Sequence, residues 1–256
     1  MEKGTENKLT TEAIDRYSMF LAAGYEDGTI VMNLLSDGNI IKSTYLFGHK
    51  SPISGLEFST SDGTIRLASS SYNSVIVWVL TKGKWKYQKE LEFDEECTSI
   101  SFSPDGGRVA ISFRNGKIEI REAFNDFDIV KVINANADEV SCVSFVPGES
   151  DILCATSNGS LMKHNLDGKL IMEKQIKALP IIWAQPSGDG SIAAVCDDST
   201  IIVFDPNEQM FEIPFSKKSK PLKCGWNNIT NSLLIIDDKG LKSIFMQFPN
   251  GSWKCI

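Results

Sequence analysis

At 256 residues with a formal net charge of −7, the chain can bury a sizeable core without covalent staples. Its acidic balance opposes an electrostatic grip on nucleic-acid phosphates, which needs clustered Lys and Arg with little acid nearby. No stretch approaches the roughly 18 consecutive apolar residues of a membrane span.

The opening MEKGTENKLTTEAIDR carries charge throughout and has no apolar core of the secretory-signal kind, so an intracellular protein, cytoplasmic or nuclear, is expected. From there one element recurs along the chain: a strand rich in β-branched or small residues, a two-residue turn drawn from Asn, Asp, Gly and Ser, and a second apolar strand. Its copies are FLAAGYEDGTIVM, RLASSSYNSVIVW, VAISFRNGKIEI, LCATSNGSLMKH, IAAVCDDSTIIVF and LLIIDDKGLKSIF. The turns centre on Gly28, Ser74, Gly116, Gly159, Ser199 and Gly240, spaced 46, 42, 43, 40 and 41 residues apart. Such residues tolerate positive φ, so each copy predicts a β-hairpin.

Upstream of five hairpins runs another apolar strand: ISGLEFS, CTSISFSPDG, VSCVSFVPGE, PIIWAQPSGDG and PLKCGWNN, with last core positions Phe58, Phe102, Phe145, Ala184 and Trp226. The PDG and SGDG tails are turn chemistry, where Pro fixes φ and Gly accepts the left-handed region. Downstream of each hairpin follows a more polar strand: NIIKSTYLF, KWKYQKELEF, DIVKVINA, KLIMEKQI, MFEIPF and GSWKCI. Four short strands in each repeat of about 42 residues predict the blades of a β-propeller, and six hairpins predict six blades.

The period, together with FSPDG at 102–106, resembles the WD-repeat family over nearly the whole chain from about residue 18. The family's Gly-His pair occurs as Gly48-His49. Its Trp-Asp position is met by Trp78, here followed by Val79, while Val203-Phe204-Asp205 keeps a degenerate form. The resemblance implies that His49 and Trp78 stabilise a blade and do no chemistry, and that the family's Asp, His, Ser and Trp hydrogen-bond network is not to be assumed in most blades. Two segments, VIVWVLTKGKWKYQKEL and IFMQFPNGSWKCI, also resemble outer strands of COPII and nuclear-pore coat propellers and of the propeller subunit of the actin-branching complex.

The expected plan is all-β: an N-terminal extension or poorly specified inner strand over residues 1–17, then one propeller over 18–256. Its six four-stranded blades lie near 18–50, 51–95, 96–138, 139–178, 179–219 and 220–256. Residues 9–14 are polar at alternate positions and lack an aromatic end, whereas GSWKCI gives the last blade its own fourth strand. Two readings stay open: a ring open between first and last blade, its gap filled by a partner's strand or blade, or residues 9–14 forming the first blade's inner strand.

Two histidines, His49 and His164, give a hydrolytic triad or a histidine metal site little material. No nucleotide-binding glycine motif occurs. Asp197-Asp198, Asp237-Asp238 and Asp94-Glu95-Glu96 lack the compact ligand loop of a calcium site. Six cysteines at 97, 142, 154, 196, 224 and 255 form no CxxC pair and read as small buried hydrophobes. Lys217, Lys218 and Lys220 read as a solvated loop, and the sequons at Asn158, Asn228 and Asn250 as chance matches. No cofactor, metal, nucleic acid or small-molecule substrate is therefore expected. What remains is a non-catalytic scaffold, a subunit of a multiprotein complex whose partners are other proteins. Its contacts belong to loops held by a rigid framework, and the candidates are Tyr25, Tyr72, Arg114 and Trp183. Alternatives are a coat or cytoskeletal assembly subunit completed by a partner's strand or blade, and an enzyme or small-ligand binder using the central channel.

Overall fold

The computed structural model describes residues 7–15, 17–61, 63–124, 126–135, 139–215, 219–227, 232–237, 242–247 and 252–256. Among them every regular element is a β-strand, and the strands form six four-stranded antiparallel sheets. The first sheet holds β1 (Leu9–Ile14), β2 (Phe20–Tyr25), β3 (Ile30–Ser36) and β4 (Asn39–Leu46). The second holds β5 (Gly55–Ser61), β6 (Thr64–Ser71), β7 (Ser74–Thr81) and β8 (Lys84–Glu92), and the third β9 (Cys97–Phe102), β10 (Arg108–Phe113), β11 (Lys117–Glu122) and β12 (Ile129–Asn134). In the fourth are β13 (Val140–Phe145), β14 (Ile152–Thr156), β15 (Ser160–His164) and β16 (Leu170–Gln175). The fifth consists of β17 (Ile181–Pro186), β18 (Ile192–Cys196), β19 (Ile201–Phe204) and β20 (Met210–Ile213), and the sixth of β21 (Pro221–Asn227), β22 (Ser232–Asp237), β23 (Lys242–Gln247) and β24 (Trp253–Cys255). This is the all-β, six-blade pattern that the repeats predict, and each sheet is built from four consecutive strands.

Residues 9–14 form a strand of the first sheet, paired with β2 from Leu9↔Tyr25 to Ile14↔Leu21 with a register shift between Leu9 and Thr11. The polar residues that make this segment look poorly specified have a local reason. Comparable irregularities occur where Cys97 and Ser99 face β10, between Val140 and Cys142 against β14, between Ile181 and Trp183 against β18, and between Pro221 and Lys223 against β22. A bulge interrupts the ladder, and a side chain at the extra residue can satisfy the disturbed backbone. Thr10 Oγ1 donates to Gly24 O at 2.9 Å, and Ser141 Oγ donates to Ala155 O at 3.1 Å. Thr98 shares a hydrogen bond of 2.9 Å with Ser112. Thr10 of LTTEAI is therefore bulge chemistry.

The chain divides into two compact units, Met1–Arg114 with Ile120–Val130, and Asn115–Glu119 with Lys131–Ile256. In the first unit, one core gathers Phe20, Ile30, Met32, Ile53, Leu67, Ile76 and Trp78 from the first and second sheets. Another gathers Val75, Val77, Ile100, Ile111, Phe113 and Phe127 from the second and third. In the second unit Leu153, Leu161, Ile181, Ala194 and Ile202 join the fourth sheet to the fifth, and Val195, Val203, Leu233, Phe245 and Trp253 join the fifth to the sixth. Strand β7 shows why. Its alternating side chains send Val75 and Val77 to one core and Ile76 and Trp78 to the other. A sheet apolar on both faces cannot hide them alone, and each large side chain that a neighbour covers stabilises by about 1.5–3 kcal/mol.

The hairpin turns correct the two-residue expectation. Among the described second-to-third-strand turns, only β6 and β7 are joined by two residues, Tyr72 and Asn73, so Ser74 opens β7. Elsewhere an Asx turn comes first: Asp27 accepts from Thr29 N, Asn115 from Lys117 N, Asn158 from Ser160 N and Asp198 from Thr200 N, at 2.8, 3.1, 3.3 and 3.0 Å. The next residue then takes the left-handed region: Gly28 (φ 84), Gly116 (φ 80), Gly159 (φ 86) and Ser199 (φ 70). This longer loop, an Asx turn followed by a left-handed residue, matches the strand twist as a two-residue turn does but needs only one residue at positive φ. Turns with two successive positive φ values fall between third and fourth strands instead, at Asp37-Gly38 (φ 51 and 76) and Lys82-Gly83 (φ 50 and 70). Gly240 lies outside the described residues.

Candidate functional site

Loop ends are where a rigid sheet framework presents variable side chains. In the first unit, Tyr25 closes β2 and is half-buried; its carbonyl accepts from Ile53 N at 3.1 Å. Tyr72, in the β6–β7 turn, is 59% exposed and held at φ 37. Arg114 follows β10: its N–H donates to Glu96 O at 3.0 Å and its guanidinium lies 3.2 Å from the Glu96 carboxylate. Antiparallel connectivity places these three at the same end of their sheets. Trp183 is different. It lies inside β17, half-buried, and packs against the apolar clusters on both faces of the fifth sheet. Its expected place on a loop is corrected, because the strand runs on to Pro186 and a side chain of that size fills the space on either side of it.

In the second unit the charges at the corresponding loop ends are largely paired. Lys177 Nζ lies 2.9 Å from Asp198 and donates to Thr200 Oγ1 at 2.6 Å. Burial opposes ionisation of the Asp198 carboxyl, but hydrogen bonds from Thr200 and Lys177 outweigh it and hold the group down at about 2. Lys220 pairs with Asp197 at 2.8 Å; Lys217 and Lys218 lie outside the described residues. Asn158, the first sequon, is used by its turn, accepting from Thr156 Oγ1 at 2.6 Å. Asn228 and Asn250 fall outside the described residues, as do Asp238 and the side chain of Cys224. Asp237 is buried at the end of β22.

Both histidines and four of the cysteines are buried. His49 is 8% exposed. Its Nε2 lies 2.8 Å from Ser69 Oγ and its Nδ1 3.1 Å from Ser74 Oγ. Ser69 Oγ also accepts from Trp78 Nε1 at 2.9 Å and donates to Ile76 O at 3.2 Å. With its own proton on that carbonyl, Ser69 accepts from the imidazole, which corresponds to the Nε2–H tautomer, while Ser74 Oγ beside Nδ1 also donates to Ser71 O at 3.4 Å. Burial pushes His49 down to about 4, although the Ser69 backbone opposes the shift. His164 is lowered by burial against the pull of Glu173. Burial also pushes the Cys154 thiol up to about 12 and Cys196 to about 11, so neither is a thiolate at neutral pH. Cys97 and Cys142 are buried as well, whereas Cys255 is exposed. Among the described residues no group of three or more His, Cys, Asp or Glu could hold a metal ion, and no helix is long and apolar enough to cross a membrane.

The network makes Ser69→Ala informative. Removing one hydroxyl strands two buried donors, His49 Nε2–H and Trp78 Nε1–H, so the variant is expected to lose about 3 kcal/mol in urea unfolding. A loss under about 1 kcal/mol would show that water replaces the hydroxyl.

A family model described as the anaphase-promoting complex subunit 4 WD40 domain matches residues 56–147. Among curated proteins the chain is similar to Protein NEDD1 of Mus musculus, 31% identical over 153 residues, which is 58% of this chain and 23% of that protein. It is also similar to the Periodic tryptophan protein 2 homolog of Mus musculus, 27% identical over 108 residues, covering 41% of this chain and 11% of the relative. The chain thus spans less than a quarter of the length of these relatives. Among solved structures, the Cps50 (Swd1) β-propeller domain of Myceliophteria thermophila superposes with a TM-score of 0.77 at 18% identity, over 98% of this chain and 86% of that one. Six four-stranded sheets and this superposition show the fold, a six-bladed β-propeller, and its matched segments are similar to WD40 domains.

Proposed function

We propose that the chain is a non-catalytic protein–protein interaction scaffold, working inside the cell as a subunit of a multiprotein complex. The observation that carries this reading is a contrast between loop ends and interior. Tyr72 and Arg114 stand exposed on short turns locked by backbone bonds, while His49, His164, Cys154 and Cys196, which nucleophilic or acid–base chemistry would use, are buried in strands or blade contacts. A rigid aromatic and a guanidinium on fixed loops are the side chains that most often anchor protein contacts. Likeness to a WD40 domain described for a complex subunit supports the same class. Each of the six sheets holds four strands of its own, which favours this reading over a subunit whose missing strand a partner supplies.

The test is purification of the tagged chain from cells with native mass spectrometry of what accompanies it. Stoichiometric partner proteins are expected. The double variant Tyr72→Asn/Arg114→Ser, in which Asn tolerates the positive φ of the turn, should keep its melting temperature and lose at least one of them about tenfold. A chain that purifies alone, or a partner set indifferent to the double variant, overturns the reading.

A further inference from the structure

We infer that a cleft between the fourth and fifth sheets is a docking site for a partner polypeptide segment that sets an apolar side chain between Lys or Arg residues. The inference rests on the scaffold reading and assigns one of its contact surfaces.

The cleft has a volume of about 300 Å³, the low end of the range that encloses ligand groups and room for a side chain or two rather than a cofactor. Its floor is apolar and comes from four strands: Leu161 of β15, Met172 of β16, Ile192 of β18 and Phe204 of β19. Leu161 and Phe204 are buried and tied into the ladders opposite Lys174 and Ile192. Met172 and Ile192 are half-buried and offer apolar surface to whatever enters. A methionine at such a place adapts its shape to its occupant.

The rim decides the charge of that occupant. Glu149, Asp189, Asp205 and Glu208 line it, against two cations, Lys163 and Lys174. Both lysines are already engaged. Lys163 bridges Glu149 and Asp151, the latter at 3.3 Å. Lys174 lies 2.9 Å from Glu208 and 5.0 Å from the Phe204 ring centre. Four carboxylates against two ammonium groups leave a negative rim around an apolar floor, on a chain that is itself acidic. A concave wall of low dielectric concentrates that field, so a cationic segment is drawn in and an anionic one repelled. Asp189 and Asp205 are also fixed in place: Asp189 Oδ1 accepts from Ser191 N at 2.9 Å, and Asp205 Oδ1 from Asn207 N and Gln209 N at 2.9 and 2.8 Å. The loops that carry these acids lie at the end of the sheets opposite the Asn158 and Asp198 turns.

Random-sequence peptides displayed on phage and selected against the intact chain test this directly. Enriched peptides should share an apolar residue flanked by Lys or Arg, and their affinity, read by fluorescence anisotropy, should fall several-fold as salt is raised. Met172→Lys, which places a charge on the floor, should weaken them about tenfold. Asp189→Asn/Asp205→Asn removes two charges but keeps both Oδ1 acceptors, so it should unfold at the native temperature and lose much of the salt dependence. Enriched peptides that lack basic residues, or that bind Met172→Lys as well as the native chain, overturn the assignment, as does a selection that enriches nothing. Peptides lost on Tyr72→Asn/Arg114→Ser but kept on Met172→Lys would leave the scaffold reading standing and remove only this cleft. An empty selection together with a chain that purifies alone would remove both.

Discussion

Gly159→Ala is expected to lower the unfolding free energy by about 4 kcal/mol, whereas Gly38→Ala should lower it by about 1 kcal/mol. Both glycines have positive φ, 86 and 76, so both substitutions place an L side chain in a left-handed conformation at similar cost. Space separates them. A Cβ at Gly38 meets nothing within 4 Å, but at Gly159 it would overlap the Lys177 carbonyl oxygen and stand 2.5 Å from that of Leu179. That segment cannot step aside cheaply. Ile176 N donates to Gly159 O at 2.9 Å, and Gln175 Nε2 ties Lys177 O to the turn at 2.6 Å. Urea unfolding of the two variants measures the difference directly, and equal losses would show that residues 177–179 give way. Gly28 stands in the same relation to His49, whose carbonyl oxygen would lie 2.6 Å from a Cβ added there. The glycine of the repeat therefore serves close backbone approach as much as turn geometry.

Acidification should destabilise the chain between pH 6.5 and about 4 by about 3 kcal/mol, through His49. In the native state burial holds its imidazole neutral down to about 4, whereas in the unfolded chain it takes up a proton near 6.5. Below 6.5 the unfolded state binds more protons, so stability present at neutral pH is lost as pH falls and the loss is complete near the native value. His164, also lowered by burial, adds in the same direction. The carboxylates held low, Asp198 at about 2 together with Asp27 and Asp105, act only below this window. Unfolding free energies taken at intervals from pH 7.5 to 4 should show the slope. His49→Gln, though less stable at neutral pH, should lack most of it, and an unchanged slope in that variant would assign the acid sensitivity elsewhere.

The repeat makes the blades legible because each element announces itself locally: β-branched runs alternate, and Asn, Asp and Gly punctuate them. His49 and Trp78 are legible as a pair for the same reason, though Ser69, which joins them, carries no signal among the many serines of the strands. Turn length is not legible, because an Asx turn followed by a left-handed residue has the same composition as a two-residue turn. Residues 9–14 are ambiguous because a bulge replaces an apolar position with a hydroxyl that bonds the neighbouring strand. Trp183 lies in the apolar segment PIIWAQPSGDG yet reads as a candidate contact, because burial is a property of two sheets meeting, which no single segment states. The cleft is invisible for a stronger version of that reason: its floor and rim come from strands and loops between Glu149 and Glu208, and only packing brings them together.

Since each sheet takes its four strands from one continuous stretch of chain, the loops that must close to form it are short and carry little entropic penalty. A ribosome releasing the polypeptide in order can thus let one hairpin set before the next emerges. The hazard lies between these events. Until its follower arrives, a newly formed sheet such as the second displays Val75 and Val77 to water, and that interval is where a molecular chaperone would bind or where misassembly would begin.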